Sequence, residues 1–129
     1  MRLLLTLSIL GFLGCADETV TAYGAADKTW RLTELSGQPF SANATLTFPA
    51  RGKIAGSAPC NRYTADMTVP YPWFETGPIA ATRRACPDLD AESLYFDTLR
   101  AMTLSEVLGD TLILSTPGGA HMVFTTTGG

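Results

Sequence analysis

Charged residues are scarce in this sequence. They form 16% of its 129 residues, and nine basic against 12 acidic side chains give a net charge of −3. Nucleic acids and anionic lipid headgroups attract proteins through positive charge, so this composition predicts neither as a partner. His121 is the only histidine, and no serine stands in a Gly-x-Ser-x-Gly setting. The sequence therefore predicts no catalytic residues, no metal site and no cofactor.

A long apolar run is also lacking. A helix that crosses a bilayer needs roughly 20 apolar residues, whereas the longest apolar stretch, Leu3 to Leu13, is short and interrupted by Thr6, Ser8 and Gly11. This stretch follows the positive charge of Arg2, an arrangement typical of a secretory signal peptide. Residues 1–14 are therefore predicted to be a signal peptide.

Cysteine is rare, with three copies, and an odd number in a secreted chain leaves one thiol to explain. The segment Phe12-Leu13-Gly14-Cys15 resembles a bacterial lipobox, in which the cysteine is diacylated and becomes the new N-terminus. We predict lipidation at Cys15, because two acyl chains give a stable membrane anchor. The alternatives are ordinary signal-peptidase cleavage near residues 22–26 and an uncleaved anchor.

Ala16 rather than aspartate follows Cys15, which favours an outer-membrane address facing the periplasm. From there to Asp27 the residues are small and polar, without apolar periodicity. This composition predicts a flexible tether, so residues 15–28 are assigned to the lipidated N-terminus and tether. Residues 29–126 then suffice for one domain with one hydrophobic core.

Alternating apolar and polar residues predict most of this domain as β-strands. The first strand covers residues 29–35, and a hairpin follows at residues 44–48 and 53–57. Further strands are predicted at residues 63–69, 79–82, 104–108, 111–115 and 121–125. The residues expected to point inward in the first three strands are Trp30, Leu32, Leu46, Phe48 and Ile54.

One helix is predicted, from just after Cys86-Pro87 to about Met102. Asp88 is expected to cap it, while Asp90 and Glu92 place negative charge in its first turn, as the helix dipole favours. Its apolar face should contain Tyr95, Leu99 and Met102, with Leu94 beside them. The order of the elements, strands followed by one helix and then further strands, predicts an α+β domain. We expect a strongly curved antiparallel sheet or small barrel whose opening the helix covers.

Two segments together carry a recognisable motif. Residues 56–63 read GSAPCNRY, and residues 79–87 read IAATRRACP. With WRL at residues 30–32 and GDTL at 109–112, they resemble the META domain family of HslJ-like proteins over about residues 29–124. Pro59 replaces a glycine that is usual in the family, and Arg84 stands where methionine is frequent. The matching motif residues are Gly56, Asn61, Arg62, Tyr63 and Thr82, together with Cys60 and Cys86.

The resemblance implies a small antiparallel β-structure with one helix, in bacterial envelope lipoproteins and secreted proteins linked to heat stress and novobiocin resistance. It brings no enzymatic activity and no cofactor. Cys60 and Cys86 are expected to form a disulfide in an oxidising periplasm, which would stabilise the fold by roughly 3 to 4 kcal/mol. A zinc site or a redox pair is the alternative, although zinc would need further ligands.

The polar motif residues have both a structural and a functional interpretation. Asn61-Arg62-Tyr63 is expected to form a turn fixed by hydrogen bonds with Tyr63 in the core, and the alternative is a recognition patch. Arg83 and Arg84 are expected to pair with acids at the start of the helix, because neighbouring strand residues face opposite ways and cannot readily share one anion.

An aromatic segment offers the best candidate for binding. Tyr71, Trp73 and Phe74 lie between prolines and could form an exposed edge near a barrel mouth, although core packing is the expectation for Trp73 and Phe74 taken singly. The sequence thus predicts a non-enzymatic envelope lipoprotein that binds an unidentified envelope protein. The alternative is a periplasmic carrier or sensor of a small apolar ligand.

Overall fold

The computed structural model describes residues 16–126. The predicted signal peptide and the predicted lipidation at Cys15 lie outside these residues. The strands are β1 (Trp30–Leu35), β2 (Gln38–Pro39), β3 (Thr45–Ala50), β4 (Lys53–Ser57), β5 (Arg62–Asp66), β6 (Ala80–Ala81), β7 (Leu104–Leu108), β8 (Thr111–Ser115) and β9 (His121–Thr125). The helix α1 (Leu89–Ala101) lies between β6 and β7, and a short 3-10 helix (Val20–Tyr23) precedes β1.

All paired strands are antiparallel and belong to one sheet, in the order β6-β5-β4-β3-β1-β9-β8-β7, with β2 beside β1. The sheet curls around a single core but does not close, and α1 packs against it. The predicted α+β class with a strongly curved sheet is confirmed. Within the part of the chain that the structure describes, no helix is long and apolar enough to cross a membrane.

Side-chain alternation places the sheet's apolar residues on one face, as a period of two requires. All five residues expected to point inward are buried. On the far side of β1, β8 and β9 add Leu112, Leu114, Met122 and Phe124, none of which is exposed. The core therefore extends across the whole curl of the sheet.

The helix buries the predicted face, except for Leu94. Tyr95, Leu99 and Met102 are buried as expected and Phe96 joins them, whereas Leu94 is 50% exposed. Successive helical residues turn about 100°, so Tyr95, Phe96 and Leu99 share one face and Leu94 points nearly opposite. Asp88 occupies the N-cap position, but its side chain makes no capping hydrogen bond.

The segment predicted to be a flexible tether is packed against the domain from Thr19 onwards. Val20 and Ala25 have no exposed surface, and the Trp30 indole Nε1 donates a hydrogen bond to the Ala25 carbonyl at 3.0 Å. The tether prediction is therefore wrong for this segment. These two apolar residues show no periodicity in the sequence, yet both belong to the hydrophobic core.

Gly56 in β4 allows the close contact between β4, β3 and the core tyrosines. A Cβ atom added there would lie 2.0 Å from the Thr45 carbonyl oxygen and 2.9 Å from the Tyr63 hydroxyl. Real Cβ atoms do not approach backbone oxygens this closely, so a side chain would push β3 and β4 apart. The glycine of the motif thus has a packing role.

Replacing Gly56 with alanine is expected to lower the free energy of unfolding by about 2–3 kcal/mol, because β3 cannot move away without disturbing the core. Gly118→Ala is the matched control, since its nearest neighbour, Thr116 Oγ1, would lie at 3.8 Å, and the expected loss there is within about 0.5 kcal/mol. Chemical denaturation of both variants measures the difference. Equal losses would contradict the packing role of Gly56.

Candidate functional site

The two halves of the motif meet at a disulfide. Cys60 and Cys86 are bonded, with Cα atoms 5.6 Å apart, as the sequence predicts. The bond joins Cys60, two residues before β5, to the segment that leads from β6 into α1. The loop between the cysteines, with 26 positions of separation, therefore has both of its ends fixed at one place.

Asn61 lies beside this disulfide and uses every hydrogen-bonding position of its side chain. Its Nδ2 donates to the Arg84 carbonyl at 3.0 Å and to Glu92 Oε2 at 2.7 Å. Its Oδ1 accepts from Thr82 Oγ1 at 2.8 Å and from the Arg84 backbone N–H at 2.6 Å. One buried amide thereby joins β5, the segment after β6 and the first turn of α1.

Glu92 completes this network from the helix. Its side chain is buried, with the residue 6% exposed, and Oε1 accepts from the backbone N–H groups of Cys60 at 2.9 Å and Asn61 at 2.8 Å. With the Asn61 amide, the carboxylate has three N–H donors, which compensate for its loss of solvation. Sequence reasoning assigned Glu92 only a favourable interaction with the helix dipole and missed this role.

Tyr63 and Tyr95 form a second buried pair on the inner side of the same motif. Their hydroxyl oxygens are 2.6 Å apart, and the Tyr63 hydroxyl donates to the Thr45 carbonyl at 2.7 Å. Burial is the main cause that raises the pKa of Tyr63 well above its ordinary value, and it raises the pKa of Tyr95 as well. Both phenols therefore stay neutral and serve to connect β5, α1 and β3.

Arg83 and Arg84 do not form the ion pairs that the sequence predicts for them. Among the described residues the ion pairs are Lys53–Asp66, Arg100–Asp97 and His121–Glu34, so the expected pairing of Arg83 and Arg84 with acids of the helix start is wrong. Arg62 and Arg84 instead line one cavity of about 430 Å³ with Thr82. Both are exposed, and Glu92 accepts its hydrogen bonds from Asn61 and the Cys60 backbone instead.

The aromatic segment follows the open edge of the sheet rather than a barrel mouth. Ser105 N–H in β7 donates to the Pro72 carbonyl at 2.7 Å, and Phe74 N–H donates to the Thr103 carbonyl at 2.9 Å. The backbone of this segment thus covers part of the edge strand. The prediction of a position at a barrel mouth is wrong, because the sheet does not close.

The three aromatic side chains of that segment have different environments. Phe74 is a core residue at 2% exposure, whereas Trp73 is 56% exposed. Tyr71 is half-buried and stacks on Tyr23, with ring centroids 4.7 Å apart. Trp73 lies in a groove of about 360 Å³, which is lined by Val69, Pro70, Trp73, Phe74, Glu75, Arg100, Met102 and Thr103. Trp73 is therefore the most exposed of the three rings.

His121 is engaged by acceptors on both sides of its ring. Nδ1 lies 3.2 Å from the Gly119 carbonyl, and Nε2 lies 3.3 Å from Glu34 Oε2. The Gly119 carbonyl, followed by the Glu34 carboxylate, raises the pKa of His121 above its ordinary 6.5. Both ring nitrogens thus contact acceptors of the protein itself. The described residues contain no group of three or more His, Cys, Asp or Glu side chains that could hold a metal ion.

Replacing Glu92 with alanine is expected to lower the free energy of unfolding by about 3 kcal/mol, because it leaves three buried N–H donors without an acceptor. Asp90→Ala is the matched control, since it also removes one negative charge from the first turn of α1 but from an exposed position. There the expected loss is about 0.5 kcal/mol. Denaturant titration compares them, and similar losses would show that Glu92 acts only through the helix dipole.

Comparisons with known proteins agree with this fold. The chain is similar in structure to a protein from Burkholderia xenovorans solved by NMR, with 20% identity, a TM-score of 0.63, and 95% of this chain and 99% of that chain covered. A crystal structure of a DUF4847 family protein from Bacteroides vulgatus ATCC 8482 gives 13% identity and a TM-score of 0.67, with 82% and 96% covered. At these identities the likeness shows the fold alone.

No curated protein matches the sequence significantly. The family model of the META domain, however, matches residues 23–128, which include every motif residue described above. The match begins within the packed N-terminal segment, in agreement with a domain that starts before β1. This chain belongs to the META domain family.

Proposed function

We propose that this chain is a lipid-anchored domain of the bacterial cell envelope that acts by binding and has no enzymatic activity. The observation that carries the proposal is the saturation of the buried polar side chains beside the disulfide, Asn61 and Glu92, by internal hydrogen bonds. Asn61 uses all four of its bonding positions, and Glu92 accepts three N–H groups. Polar groups that are fully satisfied inside the protein hold the fold and are not available to a substrate.

The groove beside Trp73 is the surface that combines an exposed aromatic ring with apolar neighbours. Exposed tryptophan is costly to leave in water and is enriched where proteins bind partners. In the proposed role, the groove contacts another component of the envelope and supports the integrity of the envelope under heat or novobiocin-type stress. The family resemblance supports this association with stress. The lipobox supports the lipid anchor, and Ala16 after Cys15 supports an outer-membrane location facing the periplasm.

A second candidate is a carrier or sensor of a small apolar ligand in the periplasm. The groove favours it, because Val69, Phe74 and Met102 line the groove beside Trp73 and its volume of about 360 Å³ lies within the usual range of ligand sites. An apolar molecule would displace water from these side chains. The two candidates use the same surface and differ in the occupant.

The anchor is tested by metabolic labelling with palmitate in the bacterium that produces the chain. Cys15→Ala is expected to abolish incorporation of the label and to release the protein from the membrane fraction. A Cys60→Ala/Cys86→Ala variant is the control, since it removes both other cysteines and retains Cys15, so it should still be labelled. Incorporation into Cys15→Ala would remove the anchor from the proposed function.

Native mass spectrometry of the purified domain distinguishes the two candidates. Protein that acts as a carrier is expected to retain a reproducible apolar adduct, and Trp73→Ala should reduce its occupancy severalfold because the indole forms one wall of the groove. Leu89→Ala, at another exposed apolar position, should leave occupancy unchanged. Protein that is empty in every preparation would exclude the carrier and leave the binding module.

A further inference from the structure

The N-terminal segment is fixed to the domain almost up to the predicted lipidated residue. The Arg51 guanidinium donates to the Ala16 carbonyl at 3.1 Å, and the Tyr71 N–H donates to the Glu18 carbonyl at 2.7 Å. The stacking of Tyr23 on Tyr71 holds the end of the segment. Instead of a tether, a short docked strip of chain therefore leads to Cys15.

Trp73 lies close to the end of this strip. A surface depression of about 400 Å³ is lined by Ala16, Arg51 and Pro70, among others, and Pro70 also lines the groove of Trp73. The two depressions thus share one wall. The start of the described chain and an indole that is 56% exposed thus line adjoining depressions of the surface.

We propose that the face formed by Ala16, Arg51, Pro70 and Trp73, here called the anchor face, rests on the lipid bilayer with the Trp73 indole in the interfacial region. This inference rests on the proposed lipid anchor at Cys15. Consecutive Cα atoms are about 3.8 Å apart, so a lipid on Cys15 holds Ala16, and with it the anchor face, against the membrane. The bilayer is then the first partner that the groove of Trp73 meets.

The chemistry of the anchor face fits a zwitterionic bilayer surface. Tryptophan is enriched at membrane interfaces, where its ring is buried and its N–H stays hydrated. The charges around it are mixed, since Arg51 and Arg100 are accompanied by Glu18 and Glu75. A face with both signs has little attraction for anionic lipid, and a single indole binds weakly. The anchor makes the contact effective by keeping the local concentration high.

The test uses the chain from Cys15 onwards coupled through the Cys15 thiol to a maleimide lipid in phosphatidylcholine vesicles. The coupling is selective, because Cys60 and Cys86 are bonded to each other. With brominated lipid in the vesicles, the emission of Trp73 should fall, while Trp30, which has no exposed surface, should remain unquenched. The expected loss of total emission is about one half, and Trp73→Phe should show no quenching.

Two matched variants give the experiment its controls. In Trp73→Phe/Leu89→Trp the exposed indole sits at the start of α1, about 16 Å along the helix axis from Arg100, and quenching should be lost. Insertion of about 12 Gly and Ser residues between Cys15 and Ala16 allows roughly 20 Å of separation and should reduce quenching severalfold.

Unquenched Trp73 in the coupled wild-type chain would overturn the inference, and quenching that persists with the insertion would contradict the orienting role of the docked strip.

This experiment separates the anchor face from the anchor itself. The lipid is attached chemically, so quenching reports only which face of the domain meets the bilayer. Whether cells acylate Cys15 is decided by the palmitate labelling of Cys15→Ala. If the conjugate is quenched but the cellular protein incorporates no palmitate, the proposed function is overturned. The assignment of the anchor face would then still stand.

Discussion

The contact between Asn61 and the buried carboxylate of Glu92 is the constraint on which the rest of the structure depends. An ionised carboxylate taken out of water costs several kcal/mol unless donors replace its hydration. Here the donors come from one short stretch around Cys60, so the backbone of that stretch has only one acceptable position relative to α1. The disulfide to Cys86 stabilises the same arrangement by restricting the unfolded chain.

That constraint explains why the motif is compact in space although it is split in the sequence. Gly56 lets β3 approach β4, Tyr63 then reaches Tyr95 across the core, and Thr82 fills the last acceptor of Asn61. Each motif residue contacts another motif residue or the helix. A substitution of Asn61 or Tyr63 therefore leaves a buried polar partner, Glu92 or Tyr95, unsatisfied, which is more costly than the loss of a single hydrogen bond. The motif therefore connects the helix to the sheet.

Much of the fold could be predicted from the sequence, because strands with one buried face alternate strictly and short turns separate them. The strands 104–108, 111–115 and 121–125 have the predicted bounds. The environment of Glu92 could not be predicted, since its partners lie about thirty positions away and no local pattern marks a carboxylate as buried. Trp73 and Phe74 are adjacent and similar in character, so only the path of the chain along β7 decides which one enters the core.

The packed N-terminal segment shows how few contacts are needed to turn a linker into part of a domain. Val20 and Ala25 bury little apolar surface, worth about 2–3 kcal/mol together, and the indole of Trp30 adds one hydrogen bond to the backbone. Fixing the backbone of several residues costs more than this if each is counted separately. The entropic cost of ordering this segment falls because Gly24 packs against Val107 and Tyr23 packs against Tyr71. Val107 and Tyr71 belong to parts of the chain that are already ordered. A segment that is polar on average can thus be held by the edge strand that it covers, and its docking decides which face of the domain lies nearest to Cys15.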